Sequence, residues 1–194
     1  MPLLRRVVIW FLSQDYGPKV NFKRQKINTK NFTGLPQFSK FVLDRIKNVP
    51  ELQDFQCVEL CDLEYSSDRE SCIDPHLDDF WLWGERLITL NLMSGSALTL
   101  TPVQWDSSSV ISAVHVDMLR RSLFVLMKDA RYKWNHAIDP VNVNGTRIAM
   151  TFRELSTEFL TGDQRHVGEA LLQTANTFKG GVIQEPVAVP ISKQ

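Results

Sequence analysis

Histidine is scarce in this chain, four in 194 residues, and cysteine is scarcer, at three. Cys57, Cys61 and Cys72 lack the paired spacing of a structural zinc site. Being odd in number, they do not make a disulfide framework either, so they are expected to stay reduced thiols in an intracellular protein. Long hydrophobic runs are also missing. Residues 7–12, after Arg5 and Arg6, are too short for a secretory core, and no small-x-small cleavage pattern follows. Nothing approaches the length of a membrane span. There is no excess charge: 22 Lys and Arg balance 22 Asp and Glu, which argues against strong phosphate binding by the chain as a whole. The remaining composition, 43% apolar and 23% charged, is ordinary for one globular domain with room for a sizeable core.

The balance hides a split. Residues 1–50 hold ten Lys and Arg against two Asp and Glu, and residues 51–100 hold two against eleven. Two readings stay open: a pair of solvated faces, or a basic flap above an acidic mouth that would favour an anionic partner. Residues 19–27 alternate loosely and carry Lys19, Lys23, Arg24 and Lys26. With Phe22 alone between the basic residues, an exposed strand face is the better reading than a stacking platform for nucleic acid.

Residues 7–12 have the pattern of a buried strand, and residues 15–18 carry a turn signal. A helix is predicted from Pro36 to Asn48, with Phe38, Phe41, Val42 and Ile46 as its apolar stripe and Pro50 just beyond. Short strand patterns then follow at residues 57–65, 72–75, 87–94, 97–103, 113–119, 122–127, 134–139 and 146–155. Eight strands separated by Gly, Ser, Asn and Asp breaks predict a mainly β sandwich or barrel with flanking helices. Asn144-Gly145 predicts a hairpin between the last two. A second helix is expected over residues 167–178, with Ala170, Leu171, Ala175 and Phe178 facing inward and Gly180-Gly181 ending it. The divisions are thus an N-terminal segment and flap (1–34), the core (35–178) and a loose tail (179–194).

On this scaffold His76 and Asp78 are two apart, so on extended backbone they leave one face. His136 follows sixty residues later, and Arg147 eleven beyond it. Each fragment is weak, because an H-x-D arises by chance about 0.3 times in such a chain and an R-x5-R about 0.7 times. Order and context carry the weight. Two imidazoles and a carboxylate on one face of an ion suit non-haem Fe(II) and leave positions open for a co-substrate and dioxygen. The alternative for either histidine is a structural ring bonded to backbone. His115 and His166 are expected to be exposed and to take no part, and Asp79 is a supporting or surface carboxylate.

Arg147, Ala149, Thr151 and Arg153 alternate with Ile148, Met150 and Phe152, which predicts a polar face looking into the barrel and an apolar face packed outward. The two arginine Cα atoms would lie roughly 20 Å apart, so their side chains could straddle a five-carbon diacid.

The segments from Pro75 to Leu87, Asn135 to Ile138 and Arg147 to Leu155 resemble the AlkB family of Fe(II)- and 2-oxoglutarate-dependent dioxygenases. Trp81-Leu-Trp-Gly-Glu-Arg86, with residues 14–22, narrows the resemblance to one mammalian-type paralogue. It runs from about residue 14 to residue 178 and implies a double-stranded β-helix (jelly roll) of eight core strands. It implies His76, Asp78 and His136 as iron ligands and Arg147 on the distal carboxylate of 2-oxoglutarate, where a bidentate fork suits an anion. Arg153 would help from the other side or face the substrate. Thr151 shares the arginines' face. Tyr65 matches the family tyrosine that bonds the co-substrate, although an aromatic at a core edge is the competing reading. Leu63 and Ala149 stand where the family has asparagines.

The implied chemistry is oxidative N-demethylation with release of formaldehyde. The implied substrate is N-methyl-lysine of a protein such as actin, in actomyosin function and cytokinesis; N6-methyladenine in DNA is the alternative, and a non-catalytic binding module a second. A prolyl- or lysyl-hydroxylase reading is disfavoured by Thr151-Phe152-Arg153. A monomer in cytoplasm and nucleus without membrane contact is expected. Met1 to Ser13 match the family poorly and its members carry a longer N-terminal part, so a shortened form is expected.

Overall fold

The computed structural model describes residues 12–104 and 112–180. Its framework is a pair of antiparallel sheets. One has the order β1–β4–β11–β6–β9, built from β1 (Leu12–Tyr16), β4 (Cys57–Ser66), β6 (Trp83–Leu92), β9 (Ser122–Leu126) and β11 (Thr146–Leu155). The other has the order β5–β10–β7–β8, from β5 (Ile73–His76), β7 (Ser96–Pro102), β8 (Val114–Met118) and β10 (Trp134–Ile138). β4 to β11 are the eight core strands of a double-stranded β-helix, and β1 extends the first sheet past β4. Pro75 is tolerated in β5 because β5 is an edge strand.

Alternation along β11 divides its side chains as the sequence predicts. Phe152 and Met150 are buried on the outer face, while Arg147, Ala149, Thr151 and Arg153 line the space between the sheets. Helices α1 (Gln37–Ile46) and α4 (Arg165–Ala175) belong to the outer layer, α4 lying against β4. The predicted stripe on α1 is corrected. Ser39, Leu43 and Ile46 are buried, whereas Phe38 is 51% exposed and Phe41 64% exposed. Phe38 instead meets Tyr16 edge-on, and Arg45 lies over Phe41. In α4 the buried residues are Gly168, Leu171 and Ala175, and Ala170 faces solvent.

Three further expectations change. Strand β1 continues to Tyr16 before the turn at Gly17 and Pro18; of the strand expected over residues 7–12, all but Leu12 lies outside the described residues. Asn144-Gly145 does not join a hairpin, because β10 and β11 belong to different sheets and a turn of 3-10 helix at Pro140–Asn142 separates them. Gly180 does not terminate α4, which ends at Ala175; it packs on the backbone before α1, donating its N–H to the Leu35 carbonyl. A Cβ there would fall 1.8 Å from the Gly34 oxygen, so the close approach requires glycine. Residue 181 and the rest of the tail lie outside the described residues.

The basic ribbon is a hairpin, β2 (Lys19–Asn21) and β3 (Lys26–Asn28), joined by a 3-10 turn at Phe22–Arg24. Short helices α2 (Lys128–Tyr132) and α3 (Thr157–Leu160) are absent from the sequence reading. No helix among the described residues is long and apolar enough to cross a membrane.

Candidate metal centre

Strand register brings the scarce histidines together. His136 of β10 is the cross-strand partner of His76 at the end of β5, and their rings lie 4.2 Å apart. Asp78, just past β5, directs Oδ1 to both rings, 3.5 Å from His76 Nε2 and 3.9 Å from His136 Nε2. One ligand atom from each of the three falls within 4.8 Å of the others. Among the described residues this is the one such cluster of His, Cys, Asp and Glu. His76 Nδ1 lies 2.7 Å from the Asp74 carbonyl and donates to it, which leaves the Nε2 lone pair for an ion.

A buried arginine that sequence reasoning missed fixes the backbone around Asp78. Arg131 of α2 is fully buried and donates to the carbonyls of Asp78 (3.0 Å), Asp79 (2.8 Å) and Gly84 (3.3 Å). Asp79 is a supporting carboxylate, accepting the Leu82 N–H at 2.9 Å. His115 and His166 are exposed, although His115 Nδ1 lies 3.2 Å from Thr99 Oγ1.

Arg153 lines the same cavity as the cluster and is tied to two carboxylates. Its Nε donates to Asp78 Oδ2 at 2.8 Å and its Nη1 to Glu59 Oε2 at 2.6 Å. Burial opposes charge on Asp78, but Arg153 and the two histidines outweigh it and hold the carboxyl well below the usual carboxylate range. Burial pushes Glu59 up, against the pull of Arg153. Burial, reinforced by charge on His76, brings His136 down to about 4, so its ring is neutral at physiological pH. For His76, burial is outweighed by Asp78 and the Asp74 carbonyl, and its pKa rises.

Arg147 is the opposite case. It is 2% exposed, and the neutral Asn91 takes its Nε proton on Oδ1 at 2.6 Å, with the Tyr65 side chain a second hydrogen-bonding neighbour. Nη1 is buried with no hydrogen-bond partner among the described residues. Burial pushes the Arg147 pKa down, with Tyr65 the opposing influence. The Tyr65 ring lies 4.8 Å from the guanidinium carbon, and burial lifts its hydroxyl to about 12. Thr151 Oγ1 and Thr89 Oγ1 are 3.1 Å apart, further along the same cavity of about 70 Å³.

Asn91 was missed because its register is invisible in the sequence. It sits on β6 opposite Ala149 and so places an amide beside a position where the resemblance expected one. Its Nδ2 is anchored by the carbonyls of Ser94, Met118 and Leu119.

Above the cluster, the Phe22 ring of the hairpin lies 6.1 Å from Trp83. Phe22, Glu59, Asp78, Asp79, Trp83 and Arg153 line a depression there. The hairpin that carries the basic residues thus meets this acidic depression through Phe22. Cys57 and Cys61 lie on β4 alongside, and burial raises both thiols. The cysteines are all unpaired.

The donor set fits the group the resemblance implies. Two imidazole nitrogens and one carboxylate oxygen suit Fe(II). The buried Nη1, without a partner among the described residues, fits an anionic carboxylate.

No family model matches the chain. It is 45% identical over 193 residues to mouse alpha-ketoglutarate-dependent dioxygenase alkB homolog 4, covering 86% of this chain and 64% of that protein. The human protein of the same name is 42% identical over the same shares. A Caenorhabditis elegans protein named DNA N6-methyl adenine demethylase is 38% identical over 184 residues, covering 93% of this chain and 58% of that one. The chain thus spans less than two thirds of the length of these curated relatives. Among solved structures, OsALKBH1 superposes with a TM-score of 0.52 at 15% identity, over 79% of this chain and 82% of that one, a likeness of fold.

Proposed function

We propose, from the premise that this chain belongs with the AlkB dioxygenase homologues in sequence and in fold, that it is an Fe(II)- and 2-oxoglutarate-dependent oxidative N-demethylase. The observation that carries this reading is the convergence of His76, Asp78 and His136 in a cavity lined also by Arg147, whose buried Nη1 lacks a partner among the described residues. Bound there, the iron and 2-oxoglutarate supply the oxidation: dioxygen is consumed, 2-oxoglutarate gives succinate and carbon dioxide, and the N-methyl group leaves as formaldehyde.

The protein's part is placement. Arg147 would hold the far carboxylate of the co-substrate, with Asn91 orienting the guanidinium and Tyr65 against its face. Thr151 and Thr89 give the wall polar contacts, while Leu87, Leu98 and Leu126 exclude water. Arg153 keeps Asp78 ionised.

For substrate, we favour the monomethyl-lysine side chain of a protein, actin being the example the resemblance suggests. Phe22 and Trp83 beside Glu59 and Asp79 suit an alkylammonium head, which aromatic faces and carboxylates attract. The exposed Lys19, Lys23 and Lys26 of the hairpin suit an acidic surface around it. Monomeric action in cytoplasm and nucleus belongs to the same proposal. The name of the worm relative favours a second reading, N6-methyladenine in DNA.

The test supplies the purified chain with Fe(II), 2-oxoglutarate and either monomethyl-lysine actin or an N6-methyladenine oligonucleotide, and measures succinate and formaldehyde. Both products are expected with actin and neither with His76→Ala. Formaldehyde from DNA alone overturns the protein substrate; no succinate from an iron-loaded chain leaves a binding module.

A further inference from the structure

The network behind Asp78 contains a carboxylate whose part there goes beyond lining the mouth. Glu59 faces Arg153 directly across the β4–β11 ladder and keeps 13% of its side chain exposed. We propose that Glu59 is a positioning residue for the metal centre: by holding Arg153, it makes Asp78 present one oxygen to the ion. The inference rests on the reading that His76, Asp78 and His136 hold a divalent metal.

The argument is one of hydrogen-bond geometry and charge. Arginine beside a lone carboxylate prefers the bidentate pairing that engages both oxygens. Such a pairing would draw Oδ1 of Asp78 away from the two imidazoles. With Nη1 committed to Glu59 at 2.6 Å, Arg153 donates to Asp78 from Nε alone, and to Oδ2 alone, at 2.8 Å. Oδ1 then remains aimed at His76 and His136 Nε2, while Oδ2 is held back from chelating the same ion. A monodentate carboxylate leaves one more position for co-substrate and dioxygen. Glu59 also balances the guanidinium charge, so Asp78, Arg153 and Glu59 together stay anionic and attract a dication.

The fold makes space for this. A Cβ at Gly17, in the turn after β1, would lie 2.7 Å from Glu59 Cγ. A side chain there would push Glu59 toward the mouth.

Mn(II) affinity, read from the EPR signal of free Mn(II), tests the proposal without turnover. Glu59→Gln keeps the shape and an acceptor oxygen but loses the charge, and is expected to raise the Mn(II) Kd about tenfold or more. Glu59→Asp, which keeps charge but shortens the reach, should fall between. The visible spectrum of the Co(II)-loaded protein should change in Glu59→Gln as Arg153 draws Oδ1 of Asp78 off the ion, a change that lost fold stability alone does not produce. Glu64→Gln, on the same strand as Glu59, breaks a pair with Arg69 in the turn that follows and should leave Kd and spectrum as in the wild type. Wild-type Kd and spectrum in Glu59→Gln overturn the proposal; if that variant does not fold, Glu59→Asp decides on the same two readouts. Equal Mn(II) binding by wild type and His76→Ala would instead remove the metal reading on which the inference stands.

Discussion

Arg147 and Arg153 share one face of β11, six residues apart, and occupy opposite electrostatic settings. Arg153 meets two carboxylates, and its pKa rises well above the ordinary value because Asp78 and Glu59 overcome the effect of burial. Arg147 meets a neutral amide and a tyrosine, and burial pulls its pKa down. The same residue type is satisfied at one end of the strand and wanting at the other. A satisfied buried cation holds structure in place; an unsatisfied one is built for an anion that arrives later.

Removing each arginine should therefore fail in a different currency of measurement. The largest effect is expected from Arg153→Met, which leaves Asp78 and Glu59 facing one another: a loss of about 3–5 kcal/mol in denaturant unfolding. Adding Glu59→Gln should recover part of that loss, and an additive double mutant would show that the two residues do not act as a pair. Arg147→Ala should leave Mn(II) affinity as it was and raise the KM for 2-oxoglutarate about a hundredfold, the loss of roughly 3 kcal/mol of charge-assisted contact. Arg147→Lys keeps the charge without the fork and should recover only part of it. An Arg147→Ala variant with unchanged KM removes the contrast between the two ends.

Asn91→Leu should cost about 1–3 kcal/mol by leaving Arg147 Nε without its acceptor. It should raise the same KM by about tenfold, or one step of roughly 1.4 kcal/mol. The smallest effect lies on the outer face of the same sheet. Asp62 Oδ1 is buried without a hydrogen-bond partner among the described residues, and burial, with the charge of Asp15, lifts its carboxyl to about 7. Its folded pKa exceeds its unfolded one, so the stability it contributes is present below about 4 and disappears as pH rises through 7. Asp62→Asn should raise Tm by about 2–4 °C at pH 8, and by less at pH 5. Equal gains at both pH values would mean that ionisation is not the cause.

The strands were legible because alternation and turn residues are local, and β11 was read to its exact bounds at residues 146–155. The triad was legible because histidine is rare and its spacing follows strand order. What stayed hidden depends on register between distant strands. Nothing near Glu59 announces Arg153, 94 residues on, nor does anything near Asn91 announce Arg147, 56 residues on. Strand β1 was cut short because Gly17-Pro18 is a strong local turn signal, whereas its pairing with β4 is not local. The α1 stripe was mistaken because two phenylalanines outweighed Leu43 and Ser39 in a pattern that only packing resolves.

Burial of the β4 thiols has a protective side. Cys57 and Cys61 lie on the strand that carries Glu59, and burial holds both protonated, the form that reacts most slowly with oxygen species. A demethylase working by this chemistry would thus carry these thiols with little self-inflicted damage.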